Sequence, residues 1–339
     1  MRVENKDWRA IFWQEDTVCW IDQRFLPSRF IIVHAESPES VAQAIESMQV
    51  RGAPTIGAAA AFGLALAYLR DRSRFENYWL NRFRRTRPTA VNLFHACNYM
   101  QSCAEEGGGS ESMIQAAHAY ADTEVKNNRV MGEKVAALLA IGKRRILTHC
   151  NAGWLAAVDW GTALSGIYHL ARSGESPFVW VDETRPRLQG AKLTAWELDQ
   201  ENIDCKLQAD SAAAWMMARG KVDAIVVGAD RIASNGDVAN KIGTYMLSLA
   251  AQEHGIPFYV VAPGSTFDAG CATGQSITIE ERADEELVEI AAETNGTRKC
   301  LQLAPAGIIA NNPAFDVTPA EKITAIISET RVWQPSSGS

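Results

Sequence analysis

The chain has 339 residues, 47% of them hydrophobic and 22% charged, with a net charge of −7. That composition excludes a disordered polymer and supplies enough apolar surface for two domains, while the acidic balance speaks against nucleic acid or a membrane surface as partner. Seven scattered cysteines, an odd number without CxxC pairs or His/Cys metal spacing, point to a reducing compartment, the cytoplasm, and to no metal site.

The opening Met1-Arg-Val-Glu-Asn-Lys-Asp7 is polar, unlike a signal peptide, and no run of about 18 apolar residues follows it. Aromatic and β-branched runs at Ile11–Trp13, Val18–Ile21 and Phe30–Val33 predict small strands that cap the molecule. Ser37-Pro38-Glu39 starts a helix in which Val41, Ala44, Ile45 and Met48 recur at helical spacing. It stops at Arg51-Gly52-Ala53-Pro54, because proline lacks an N–H and drives the residue before it out of helical geometry. The small-residue helix of Thr55–Ala67 comes next. Taken alone, this tetrapeptide reads as a plain Pro-started helix. A helix start behind Arg51 and Gly52 also offers N–H groups, a positive dipole end and a guanidinium, which suits a phosphate. Helical patterns continue over 74–84, 89–106 and 113–140. Arg87-Pro88-Thr89 repeats the Arg51 arrangement, and two arginines can grip one phosphate from two sides.

From residue 145 the texture changes. Apolar strands predicted at 145–149, 178–182, 204–208, 223–228 and 257–262 alternate with helices at 161–173, 188–200, 211–219 and 238–253. Such alternation means βαβ units and a parallel sheet covered on both faces. The fold class is therefore α/β: a mainly helical domain with small strands over 1–140, a Rossmann-like domain over 141–333, and a flexible tail over 334–339. No G-x-G-x-x-G or Walker loop opens the first helix, so no cofactor is expected.

In an open parallel sheet ligands collect at the carboxyl ends of strands. The stretch Arg145–Gly153 delivers Cys150 to such an end. A cysteine by itself is more often a small buried hydrophobe. The odds change at the second junction, Asp223–Asp230, which ends in a carboxylate and makes Cys150 and Asp230 a candidate acid/base pair. His149 is assigned to the core or to a supporting position, since neighbours on a strand point to opposite faces.

Four further segments are polar or glycine-bearing where a packed core would not need them: Asp182–Gly190, Gly228–Arg231, Asn235–Asp237 and Asn240–Thr244. With these in place the sequence resembles the methylthioribose-1-phosphate isomerases of methionine salvage. The motifs that carry the resemblance are VRGAP (50–54), RPTAVNL (87–93), THCNAG (148–153), DETRPRLQGA (182–191), VGADRIASNGDVANKIGT (227–244) and NPAFDVTP (312–319). Regulatory subunits of the exchange factor for a translation initiation factor, and ribose-1,5-bisphosphate isomerases, share that fold. The resemblance implies an aldose–ketose isomerase acting on a sugar phosphate. It implies Cys150 and Asp230 as the catalytic pair, Arg51, Gly52, Ala53 and Arg87 around phosphate, and Gln189, Asn240 and Lys241 around the sugar. It also implies a homodimer joined through the second half, although Trp215–Met217, Tyr245–Leu247 and Phe315 read first as core. Trp154–Trp160, after the thiol turn, is bulkier than that family's usual pattern, and Gln208–Ser211 also departs from it.

Overall fold

The computed structural model describes residues 1–335 apart from Thr89, Ile141, Lys143, Asn295 and Gly296. Residues 336–339 of the expected tail, and Thr89 of the second arginine motif, lie outside the described residues.

Ala53–Arg70 is the central helix of the first half, and every residue from Pro54 to Tyr68 is buried. It is long and apolar enough to cross a membrane by length and composition, but it is 83% buried inside the protein, as a core helix is. Its alanines and glycines let Val91–Glu105 and Ser110–Leu139 approach closely. The small strands form a separate three-stranded antiparallel sheet, Ile11–Gln14, Thr17–Ile21 and Ile32–Ala35, the last lying two residues beyond its predicted start.

The second half holds a seven-stranded sheet. Its order is Val332–Trp333, Ala325–Ile327, Phe258–Val261, Ala224–Val227, Arg145–Thr148, Phe178–Asp182 and Cys205–Gln208. All neighbours pair in parallel except the first two strands of that order. Ala224–Val227 and Phe258–Val261 are buried at every residue, which is why they read as unbroken apolar runs and not as alternating ones. Arg145–Thr148 starts the sheet in its middle. The chain first builds outward through 178–182 and 205–208, then returns to the other side of Arg145–Thr148 at Ala224–Val227. The connections diverge between those two strands and leave a crevice at their carboxyl ends, the place where α/β sheets bind ligands.

One predicted helix is corrected. Residues 238–253 are not a single helix: Val238–Lys241 is a strand, and the helix is Thr244–Glu253. Gly243, at φ +104°, separates them in a left-handed conformation that favours glycine. Local helical spacing loses here to pairing, since Val238–Lys241 joins Arg231–Ala233 on one side and Phe315–Thr318 on the other. Phe267–Asp268 completes this second sheet.

Candidate active site

Both predicted reactive residues sit at the switch point, Cys150 after Arg145–Thr148 and Asp230 after Ala224–Val227, and both line one cleft. The cleft opens to solvent, and with its open mouth it encloses about 1190 Å3 of space between atoms. Arg51, Gly52, Ala53, Arg87, Gln189, Asn240 and Lys241 line it as well, so every residue assigned to the chemistry or the substrate converges there, whereas the Asn235–Asp237 segment does not line it.

The strand ends because Cys150 turns into the left-handed region, φ +62°. That costs a non-glycine residue about 1–2 kcal/mol, and neighbours hold it. Thr184 Oγ1 accepts the Cys150 N–H at 2.7 Å, and Thr194 Oγ1 donates to the Cys150 carbonyl at 2.7 Å. Asn151, next in line, accepts from Arg51 twice: Nη1 to Oδ1 at 2.7 Å and Nη2 to the carbonyl at 2.8 Å. Burial pulls the Arg51 guanidinium down, against the pull of Cys150, Glu197 and Asp230. Beneath this turn lies Glu197, fully buried, which accepts from Asn151 Nδ2, the Trp154 and Leu155 N–H groups and the Tyr168 hydroxyl at 2.7–3.0 Å. Desolvation pushes the Glu197 carboxyl up, and the bonds from Asn151, Tyr168 and Leu155 oppose it, with the Arg51 charge.

Gly52 brings the first half into contact with the turn. At φ +92° it precedes the Ala53–Arg70 helix, and a Cβ there would stand 2.3 Å from the Ala156 carbonyl oxygen. Only glycine fits so close an approach.

Asp230 is held differently. Its backbone N–H donates to the Ala239 carbonyl at 2.9 Å, while among the described residues its carboxylate has no hydrogen-bond partner. Burial pushes the carboxyl up, and Lys241, Arg87, Arg51 and Arg282 pull the other way. The Lys241 ammonium donates to the Ala314 carbonyl at 2.8 Å and sits 4.5 Å over the Phe315 ring. Burial, with Arg282 nearby, lowers it to about 8. Arg87 faces Glu280 at 3.6 Å, and Arg282 Nε donates to Glu280 at 3.3 Å. Burial and Arg282 lower the Arg87 guanidinium. Gln189 contributes a buried Oε1 without a hydrogen-bond partner among the described residues, and Asn240 Nδ2 donates to Thr244 Oγ1 at 3.0 Å.

Sequence reasoning missed Glu197, which supports the thiol turn, and Arg282, which reaches the cleft from an irregular segment. It read Phe315 first as core, whereas the structure places it on the wall of the cleft. Arg282 shows no periodicity around it; its one signal is an arginine beside Glu280 and Glu281. Among the described residues His149, Asp182 and Asp210 stand within 4.8 Å of one another, close enough for a metal. Their ligand atoms are already engaged: His149 by Asp182 and the Ile242 carbonyl, Asp182 by Gln208, Asp210 by the Thr184 and Arg185 N–H groups. The trio is a hydrogen-bonded network.

Residues 49–335 match the model of the Initiation factor 2 subunit family. The chain belongs to that family of α/β proteins. Over nearly its whole length it is similar to the methylthioribose-1-phosphate isomerases, as the motifs led one to expect. The methylthioribose-1-phosphate isomerase of Albidiferax ferrireducens is 48% identical over 337 residues, which is 96% of this chain and 93% of that protein. The 5-methylthioribose 1-phosphate isomerase structure from Pyrococcus horikoshii superposes with a TM-score of 0.87 at 44% identity, covering 97% and 94% of the two chains. A structure named as translation initiation factor eIF-2B, subunit delta, from A. fulgidus reaches 0.82 at 41% identity, covering 96% of each.

Proposed function

We propose that this chain isomerises 5-methylthioribose 1-phosphate to 5-methylthioribulose 1-phosphate. The observation that carries the reading is a thiol and a carboxyl raised by burial at adjacent strand ends, inside a cleft lined by Arg51, Arg87, Lys241 and Arg282. An aldose 1-phosphate cannot open to a free aldehyde, because phosphate blocks its anomeric carbon. The ring oxygen must therefore be protonated. Asp230, whose carboxyl burial pushes up, is the acid for that step, and the C1–O4 bond breaks as the proton arrives. Cys150, as thiolate, takes the C2 proton, leaving a phosphorylated enol between C1 and C2. The thiol returns a proton to C1, Asp230 recovers one from the C2 hydroxyl, and the ketose 1-phosphate results. Arg51, Gly52, Ala53 and Arg87 hold phosphate, while Gln189, Asn240 and Lys241 hold the sugar hydroxyls.

The likeness to the initiation-factor subunit favours a second reading, a non-catalytic regulatory subunit. One experiment separates them. Purified protein is mixed with 5-methylthioribose 1-phosphate in deuterium oxide, and product is followed by NMR. Ketose with solvent deuterium at C1 is expected. Ketose with C2 hydrogen fully retained would replace the enol by a hydride shift, turnover only of another 5-substituted ribose 1-phosphate would change the substrate, and no turnover by folded protein would favour the regulatory role.

We further infer a cytoplasmic homodimer of two-domain chains, divided near residue 140, with separate active sites. Support comes from Trp215 and Met246, which sequence reasoning placed first in the core and which stand 64% and 45% exposed, with Leu249 beside them at 42%. Sedimentation at micromolar concentration tests it; a fully active monomer sinks the dimer.

A further inference from the structure

We propose that His149 is held as an imidazolium between the Asp182 carboxylate and the Ile242 carbonyl, and that these two bonds position the Cys150 turn against the strand carrying Asn240 and Lys241. The catalytic consequence rests on the reading of Cys150 given above; the protonation state does not.

The His149 ring is 1% exposed on the floor of the cleft. Its Nδ1 lies 3.1 Å from Asp182 Oδ2 and its Nε2 2.8 Å from the Ile242 carbonyl oxygen. A neutral imidazole carries one N–H, so one of these nitrogens would turn a lone pair toward an acceptor. Leaving such a pair unsatisfied in a buried site costs roughly 1–3 kcal/mol, and a second ring proton removes the conflict. The other oxygen of Asp182 is occupied, accepting from Gln208 Nε2 at 2.9 Å. The surrounding elements supply Asp182 from the neighbouring strand, Asp210 from the next turn, Asp316 from the second sheet and Lys241 beside Ile242. Burial pushes the ring toward neutrality and the Asp182 carboxyl up. The bond and charge of Asp182, the charge of Asp210 and the Ile242 carbonyl outweigh the first and raise the ring, while the bonds from His149 and Gln208 oppose the second. The two acceptors facing the ring favour the proton on His149.

The positioning follows from what each bond joins. His149 immediately precedes Cys150, and Ile242 immediately follows Lys241. Gly243 makes the approach possible, because a Cβ there would stand 3.0 Å from His149 Cε1. One buried ring thus links the thiol turn to the sugar-facing strand. His149 touches no substrate in this scheme and acts through Cys150.

The test uses full-length protein labelled with 15N-histidine. The chain has six histidines, so the His149 signals are identified by their loss in His149→Gln. At about pH 7.5, where an ordinary histidine is mostly neutral, both His149 ring nitrogens should show protonated shifts. In Asp182→Asn the titration midpoint should fall by about 1 pH unit or more. One protonated and one bare nitrogen, or a proton residing on Asp182, would overturn the assignment. Folded His149→Gln should lose about 100-fold in kcat with a much smaller change in KM, as a misplaced base does. Unchanged kcat would overturn the positioning role. Should His149→Gln fail to fold, the signals are identified by their shift in Asp182→Asn. Protonated signals from wild-type protein that turns over no sugar phosphate would sink the functional reading and leave the imidazolium standing.

Discussion

The two strand ends at the switch point are built on opposite plans. The Cys150 turn is fixed by hydrogen bonds from Thr194 and Arg51 and by bonds it donates to Thr184 and to the buried Glu197 below it. Asp230 is fixed by one backbone bond and faced by cations that touch it through the field alone. A base that abstracts a proton from carbon needs accurate placement, whereas an acid that must keep its proton needs a poor environment for charge. Geometry is spent on one side and electrostatics on the other.

The largest expected effect separates the plans directly. Cys150→Ser and Asp230→Asn should each lower kcat by about 10²–10⁴-fold if each removes the proton-transfer group proposed above. Their stabilities should diverge. Asp230→Asn removes a carboxyl that burial disfavours as an anion, so it should unfold at the same temperature as wild type or higher, whereas Cys150→Ser should gain nothing. Thermal unfolding alongside initial rates checks this, and wild-type turnover in either variant removes that residue from the chemistry.

The arginines should divide the same way. Arg51→Ala and Arg87→Ala should each raise KM by roughly 10–150-fold, the loss expected of the charge-assisted phosphate contact proposed for each. Arg51 also holds Asn151, so its variant should lose kcat and about 1–3 kcal/mol of stability in addition, while Arg87→Ala should spare both. Equal kcat and equal denaturation midpoints for the two would erase the distinction.

The smallest effect concerns Lys241. With its ammonium lowered to about 8, the charged fraction falls from roughly three quarters at pH 7.5 to a quarter at pH 8.5, and KM should rise about threefold across that interval. Lys241→Met should flatten that change. The stability sign is opposite to an ion-paired lysine: between about 8 and the ordinary 10.5 the unfolded chain binds the extra proton, so this residue's contribution to stability rises with pH.

Much of this architecture was legible because buried parallel strands leave unbroken apolar runs between turn residues, as at Ala224–Val227 and Phe258–Val261. The convergence of Cys150 and Asp230 followed from their place at strand ends. What escaped is set by partners remote in the chain. Val238–Lys241 looks helical until Phe315–Thr318 pairs with it, more than 70 residues later. Glu197 sits in an amphipathic helical pattern like any surface acid, and only the fold turns it inward to Asn151. Arg282 belongs to a segment with no period at all.

The contact of Gly52 with Ala156 carries a consequence for how the protein is made. Around it, Gln23 and Thr55 donate to the Leu155 carbonyl and Asn128 to those of Ala157 and Asp159, so the turn that bears the thiol is shaped by chain completed earlier. The cleft's other wall waits for Arg282 and Phe315, which come much later in the chain than Cys150. A nascent chain should therefore carry its thiol on a half-formed floor until both segments have been made, and the cleft should close only once these long-range contacts form.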